Sequence, residues 1–594
     1  MNGRLKILIG IVFFLGLCII GRLFELQVLG HNFLGSIIYN KKIREQIIPA
    51  NRGRIFIHED KDVYPVAINL NTYDLIVSPN AIVESKIKPG EWLSQIAPYI
   101  NISELTQIQD QPIIIKEGQE TNELKDILIR ISQKDDFYEL LKTDISFEKA
   151  EKIKELGLPG IRLDSISQRY YPEEELFSHL LGFVSPSIDC YSGQCAGGTG
   201  QYGIEEFFDK ELAGQSGLET GEFFSRGLNR ADDNVIKSAK DGLDLVLTID
   251  RSIQYFACQL LEDALQEYQS ASGSILVLDT KTSAIIALCN QPNFNPNKYS
   301  EVEPKNYEVF KNPVVSSAFE PGSIFKVITM AIALDARKIT PETTYIDPGV
   351  IKLDTETIRN VEGRTFGQQT MTQVLEKSIN TGAVYAAQKV GRAGFRNYLK
   401  KFGFGSLTRI ELSGEALGNI SNLEKKQDIY LATASYGQGI TATTIQMVNA
   451  VGAIANKGKL MKPHLIYSTI KDGQTDVRKP ETIRQVISPS AAASLTAMMV
   501  SVCENGYGRR AKVDGYYVAG KTGTAQVAKS TGGYSEEVIH TFIGFAPATN
   551  PKFVALVKLD NPQQGNFADS TAVPTFGKLA DFILNYYNLL PDKK

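Results

Sequence analysis

A serine and a lysine three residues apart, Ser323 and Lys326, stand at the start of a strongly apolar run, Ile324 to Leu334, directly after Pro321-Gly322. On a helix that spacing puts hydroxyl and amine on one face, close enough to touch. An amine held among apolar side chains loses its preference for the charged form and can take the serine proton, so that the oxygen becomes a nucleophile. The pair alone proves little. Its spacing recurs at Ser85/Lys88, Ser146/Lys149 and Ser468/Lys471, which read as solvated surface positions. Two further elements give it weight. Ser378-Ile-Asn380 follows 55 residues after Ser323, and Lys521-Thr522-Gly523-Thr524 follows 141 residues after Asn380, at the end of the strand-like run Tyr516 to Ala519. Ser-x-Asn also occurs at Ser78-Pro-Asn80, whereas Lys-Thr-Gly occurs once. The order and the setting of all three carry the signal.

Rival chemistries are poorly supported. The five histidines (His31, His58, His179, His464, His540) include no pair at metal-binding helical spacing, and no Gly-x-Ser-x-Gly elbow offers a serine to a histidine base. The six cysteines lack zinc-finger spacing, so neither a metal nor a cofactor is expected. Cys190 and Cys195 share a Gly-rich loop, where a local disulfide and two free thiols are both open readings. The chain has 594 residues, 43% hydrophobic and 22% charged, a globular balance that excludes disorder, collagen and a many-helix transporter. A net charge of −4 gives no sign of nucleic-acid binding.

The elements that must position these residues fall into three textures. Arg4 and Lys6 precede an uncharged run from Ile7 to Gly21. Counted from Leu5 to Val28, with Arg22 snorkelling outward, the segment reaches the ~20 residues a bilayer requires. No small-x-small site follows Gly21, which weighs against a cleaved signal peptide, and Leu17 weighs against a lipoprotein anchor at Cys18. Residues 29–245 read as irregular, with an extended stretch at Asp74 to Ser78, polar helices around Glu123 to Lys142 and a Gly-rich patch from Gly193 to Gly203. From Gly242 the pattern tightens: a strand at Leu243 to Ile249, an amphipathic helix at Ile253 to Tyr268, and a hairpin of Gly273 to Asp279 with Ala284 to Cys289. Phe542 to Ala546 and Phe553 to Leu559 read as strands, and Phe576 to Leu589 as a helix. Strands at both ends with helices between predict an α+β or three-layer domain. Charge divides with texture: residues 1–54 hold eight basic and two acidic side chains, +6, and the other 540 carry −10.

With the trio in place, the sequence resembles the class B penicillin-binding proteins over nearly its whole length. Glu320-Pro-Gly-Ser-Ile-Phe-Lys326 and Ala519-Gly-Lys-Thr-Gly-Thr-Ala-Gln526 match almost letter for letter, with Tyr436-Gly-Gln-Gly-Ile440 and Thr443-Thr-Ile-Gln446, where Thr444 replaces a usual proline. Asn51-Arg-Gly-Arg-Ile55, Arg169-Tyr-Tyr-Pro172, His179-Leu-Leu-Gly-Phe183 and Gly203-Ile-Glu-Glu206 are similar to the family's non-catalytic pedestal. The resemblance implies residues 1–4 as a cytoplasmic tail, 5–28 as a transmembrane anchor, 29–245 as an elongated mixed α/β pedestal of dimerisation type, and 246–594 as the transpeptidase domain, an antiparallel sheet with helices on both faces. It places the protein in the bacterial cytoplasmic membrane, single-pass, with the catalytic domain on the extracytoplasmic side.

The same resemblance implies a peptidoglycan D,D-transpeptidase. Ser323 attacks the penultimate D-Ala carbonyl of a stem peptide, Lys326 takes its proton, Ser378 relays a proton between Lys521 and the leaving group, and Asn380 positions Lys326 and the substrate amide. Strand 521–524 pairs with the peptide, Thr522 and Thr524 bind its carboxylate, and the Ser323 and Thr524 N–H groups form the oxyanion hole. β-Lactams acylate Ser323. Glu173-Glu-Glu-Leu-Phe-Ser-His179 fails the spacing of a glycosyltransferase motif, so glycan polymerisation falls to a partner, a SEDS-family polymerase among other division proteins. Glu320, Asn380-Thr-Gly-Ala383 and Val518-Ala-Gly-Lys521 resemble the division type. An elongation enzyme, a D,D-carboxypeptidase or β-lactamase, and a non-turnover β-lactam sensor are the alternatives.

Overall fold

The structure is a computed structural model that describes residues 50–59, 62–100, 122–185, 198–224, 234–528 and 533–593, together with residues 16, 43–48 and 227–228. The expected anchor (Gly16 aside), the tail and the Cys190/Cys195 loop lie outside the described residues. Among the described residues no helix is long and apolar enough to cross a membrane.

The chain divides into two compact units. The described part of the first is an antiparallel ribbon in which Gly217–Phe224 pairs with Ile43–Ile48, Asn234–Lys237 and Gly227–Leu228. The second comprises residues 53–185, 199–212 and 243–594.

In the second unit the catalytic half is built on a five-stranded antiparallel sheet, in the order Ile285–Gln291, Ser272–Asp279, Phe553–Asp560, Tyr534–Ala546, Ala519–Ala528. Its strands are apolar on both faces, and alternation divides them between two cores. Ile275, Val277, Ala555 and Val557 pack with helices Arg251–Tyr268 and Ala572–Tyr586 on one side. Leu276, Leu278, Val554 and Leu556 pack on the other with Lys326–Asp335, Thr444–Ala455 and Pro489–Asn505. Local chemistry sets the helix ends: the Asp250 carboxylate accepts from Ile253 N at 3.1 Å, and Ser488 caps a helix with proline at its first position. The predicted hairpin, terminal strands and flanking helices are thus present. An unforeseen disulfide, Cys258–Cys289, ties helix Arg251–Tyr268 to the neighbouring strand.

The region read as irregular is more regular than its composition implied. A 16-residue strand, Asp62–Val77, pairs with Glu139–Ile145 and Ile161–Tyr170. Leu75, Val77, Trp92, Leu93, Ile96 and Ile153 form a core beneath it. The helical reading of Glu123 to Lys142 is corrected: the helix is Asn122–Ile131, and Glu139–Ile145 is a strand because pairing with the long strand overrides its helical composition. Farther along the same sheet, Ile55–Glu59 runs parallel to Asp244–Asp250, which pairs with Ile466–Lys471, so catalytic and N-terminal segments share one sheet.

That junction is locked by charge. Arg54 N and Nη2 donate to the Asp244 carboxylate at 2.6 and 2.7 Å. Arg169, nearly inaccessible, donates to Glu205 Oε1 at 2.7 Å, Gly53 O at 2.8 Å and Asn69 Oδ1 at 3.0 Å. The Arg-Tyr-Tyr and Ile-Glu-Glu segments therefore supply one buried ion pair, and the Arg-Gly segment docks on it through the Gly53 carbonyl. Removing one partner strands the other: Glu205→Ala is expected to cost about 3 to 5 kcal/mol, measured as a lowered urea midpoint for unfolding of the second unit. A change below about 1 kcal/mol would contradict this assignment.

Candidate active site

Ser323 lies in a 3-10 turn, Gly322–Phe325, that runs directly into helix Lys326–Asp335. The sequence reading placed Ser323 and Lys326 on a regular helix; the tighter first turn is the difference. The turn is held by glycines. Gly322 has φ +57°, and a Cβ there would lie 2.9 Å from Ala525 Cβ. Gly437, at φ +81°, approaches so closely that a Cβ would meet Gly322 O at 2.3 Å, and Gly322 N donates to Gly437 O at 3.0 Å. Glu320 accepts from Gly439 N at 2.9 Å and Tyr534 O–H at 3.1 Å, while burial raises its carboxyl above the usual range. The Tyr-Gly-Gln-Gly segment thus clamps the nucleophile's turn.

Lys326 and Lys521 are both wholly buried. Lys326 Nζ lies 3.1 Å from Ser323 Oγ and 3.2 Å from Ser378 Oγ, and donates to Ser378 O at 2.5 Å. Lys521 Nζ lies 3.0 Å from the same Ser378 Oγ and donates to Thr522 O at 3.0 Å. One hydroxyl therefore bridges two amines. Burial, and secondarily the nearby Lys521, push Lys326 well below the ordinary 10.5. Burial lowers Lys521 to about 7. Burial thus shifts Lys326 toward the neutral amine beside a serine oxygen, the direction a general base requires. Ser378 itself has φ +54°, a left-handed conformation that costs a serine about 1 to 3 kcal/mol and that clusters at functional sites.

The expected residues converge, with one difference of role. Asn380 begins helix Asn380–Val390, and its amide donates to Arg359 O at 2.9 Å. The Ser378 carbonyl, rather than Asn380, holds Lys326. The third motif lies on strand Ala519–Ala528 at the edge of the five-stranded sheet. At Gly523 a Cβ would lie 2.4 Å from Thr541 Oγ1 and 2.9 Å from Ile324 Cγ2, so glycine lets the strand reach the nucleophile's turn. Thr524 Oγ1 accepts from Ala568 N at 3.3 Å. Ser323, Ser378, Asn380, Thr522 and Thr524 all line one cavity of about 590 Å³.

Other sequence features resolve structurally. Thr444 occupies the first position of a helix whose capping box is Thr443 and Gln446. There the backbone N–H has no intrahelical partner, so threonine and proline are interchangeable. Burial lowers His179 and His540 to about 4, and their rings lie inside the protein against Val309 O and Thr571 Oγ1. Ser468 is buried on strand Ile466–Lys471 and not solvated as read, but three residues apart on a strand point to opposite faces. Sequence reading missed Asp347 and Asn360, which bind the start of helix Asn380–Val390 and belong to no motif that spacing could reveal.

The penicillin-binding protein transpeptidase domain matches residues 273–581, and the penicillin-binding protein dimerisation domain residues 47–247. Stage V sporulation protein D of Bacillus subtilis is 35% identical over 441 residues, covering 73% of this chain and 66% of that protein. The probable peptidoglycan D,D-transpeptidase PbpC of Pseudomonas aeruginosa is 29% identical over 594 residues, covering 100% of this chain and 96% of the relative. A peptidoglycan synthetase from Bifidobacterium adolescentis superposes with a TM-score of 0.71 at 25% identity, over 93% of this chain and 98% of that one. The site geometry and these likenesses agree: the chain belongs to the penicillin-binding protein transpeptidase family, with a dimerisation domain ahead of the catalytic one.

Proposed function

We propose that the protein is a peptidoglycan D,D-transpeptidase that crosslinks stem peptides through an acyl-enzyme on Ser323. The observation that carries this reading is the single hydroxyl of Ser378 held between two wholly buried amines, one of them 3.1 Å from Ser323 Oγ. Ser323 Oγ attacks the penultimate D-Ala carbonyl and its proton passes to Lys326. The tetrahedral intermediate collapses with rupture of the C–N bond, and the departing D-Ala amine takes the proton from Lys326 through Ser378. A neighbouring stem peptide's amine then attacks the ester and gives a proton to the neutral Lys326, which returns it to Ser323 Oγ as the ester C–O bond breaks, and a peptide bond replaces the one broken. Thr522 and Thr524 hold the terminal carboxylate, and the substrate extends the free edge of strand Ala519–Ala528. The Ser323 and Thr524 N–H groups bind the oxyanion, worth about 3 to 4 kcal/mol per donor. Asn380, on the cavity wall, meets the substrate amide once it releases Arg359 O.

A β-lactam enters the same path as a cyclic amide whose leaving amine stays tethered, so the ester persists. Glu320, Asn380-Thr-Gly-Ala383 and Val518-Ala-Gly-Lys521 favour a septal role. The uncharged run Ile7 to Gly21 after Arg4 and Lys6 favours a single-pass anchor in the cytoplasmic membrane with the catalytic half outside, and the family resemblance with the failed glycosyltransferase spacing favours a SEDS-family polymerase as partner.

Full-length protein incubated with a fluorescent penicillin is expected to carry a lasting covalent label that Ser323→Ala abolishes. Equal labelling of both forms would remove the nucleophile, and rapid loss of label would favour β-lactamase turnover. Crosslinking of polymerised lipid II should disappear in the same variant.

The buried lysines also predict a pH dependence of stability. Lys521 titrates at about 7 when folded and near 10.5 when unfolded, so between those values the unfolded chain binds the extra proton and stability rises with pH. Its share has a limiting slope of about 1.4 kcal/mol per pH unit. Urea unfolding at pH 7 and pH 9 should show that increment shrinking in Lys521→Met; an undiminished increment would mean the amine is not held neutral.

A further inference from the structure

Helix Asn380–Val390 starts without a cap of its own. Its preceding residue, Ile379, has no side-chain acceptor, although Ser378 and Asn380 on either side belong to the acyl-transfer site. The acceptor comes from elsewhere. Asn360 Oδ1, 20 residues upstream and 4% exposed, receives Asn380 N at 3.1 Å and Thr381 N at 3.2 Å. Asn360 is fixed in turn by Asp347, whose 1% exposed carboxylate accepts Asn360 Nδ2 at 3.0 Å on each oxygen. The same carboxylate accepts Thr381 Oγ1 at 2.5 Å, Gly349 N at 3.0 Å and Phe366 N at 2.8 Å.

A buried carboxylate satisfied by so many fixed donors, without a cation among them, makes a rigid node. It joins the Asp347 turn, the wall segment 359–366 and the first turn of the helix. Asn380 Nδ2 donates to Arg359 O at 2.9 Å, so this catalytic side chain is docked on the same wall. Immediately before it, Ser378 holds a left-handed φ of +54° while presenting its carbonyl to Lys326 and its hydroxyl to both lysines. A strained residue keeps its geometry only where its surroundings over-determine it. Leu375 O and Val374 O receive the N–H groups of Ser378 and Ile379 from the preceding side. Asn360 supplies the constraint from the following side.

We propose that Asp347 and Asn360 are positioning residues for acyl transfer: they anchor the first turn of helix Asn380–Val390 so that Ser378 stays aligned between Lys326 and Lys521. This rests on the acyl-transfer reading above. It assigns a function in that reaction to two residues outside the three motifs, acting through Thr381 and the backbone rather than by contact with substrate.

The test compares full-length wild type, Asn360→Ala, the near-isosteric Thr381→Val and the conservative Thr381→Ser. Three quantities are measured: the rate constant for Ser323 acylation by a fluorescent penicillin per folded molecule, its pH profile, and the Tm, with all rates taken well below every Tm. Asn360→Ala and Thr381→Val should acylate about ten- to a hundred-fold more slowly, the range that a misplacement of about 1 Å costs. Their pH profile should move, because the environment of Lys326 depends on the Ser378 carbonyl. Thr381→Ser should restore both rate and profile. Wild-type rates and profile in folded Asn360→Ala would overturn the proposal, as would Thr381→Ser behaving like Thr381→Val. Failure of the wild type to label would instead defeat the underlying acyl-transfer reading.

Discussion

Two amines share one hydroxyl inside a protein core, and the rest of the catalytic half is arranged around that constraint. A lysine out of contact with water is costly as a cation, so burial drives both Lys326 and Lys521 toward neutrality. Neutrality is useful only if the serine to be activated cannot drift. Lys326 therefore stands at the start of a helix buried through Leu334, packed on the central sheet. Ser378 is held in a strained conformation that only a well-braced neighbourhood sustains.

The bracing is largely a matter of close backbone approach. Gly437 against Gly322 and Gly523 against Ile324 let two separate segments come within van der Waals distance of the nucleophile's turn, where any side chain would hold them apart. The edge position of strand Ala519–Ala528 follows from the same economy. A central strand would already have paired its outer side, whereas the edge strand leaves that side for an extended peptide. Chemistry and substrate recognition thus meet in one cavity beside that strand.

Farther away, the second sheet and the Arg169–Glu205 pair bind the segment after Arg52 to the strand that leads into the catalytic half. This explains why arginine, tyrosine and glutamate recur in segments with no catalytic task. The Arg169 side chain satisfies carbonyl, amide and carboxylate acceptors at once, which a planar guanidinium does and an ammonium does not.

Read alone, the sequence could name candidates for the chemistry, Ser323 with Lys326, Ser378 with Asn380, and Lys521 with its threonines, because each motif needs particular residue types at short spacings. Strands such as Phe553–Asp560 and helices such as Arg251–Tyr268 were also legible, since alternation and helical periodicity are local properties. What only the tertiary structure decided depends on partners distant in the chain. The strand Glu139–Ile145 exists because of pairing, the Cys258–Cys289 link because a helix crosses a strand, and the anchoring by Asp347 and Asn360 because a loop folds back on a helix start. A polar residue carries no local mark of the donor it will meet, so these contacts emerge only when the chain is folded.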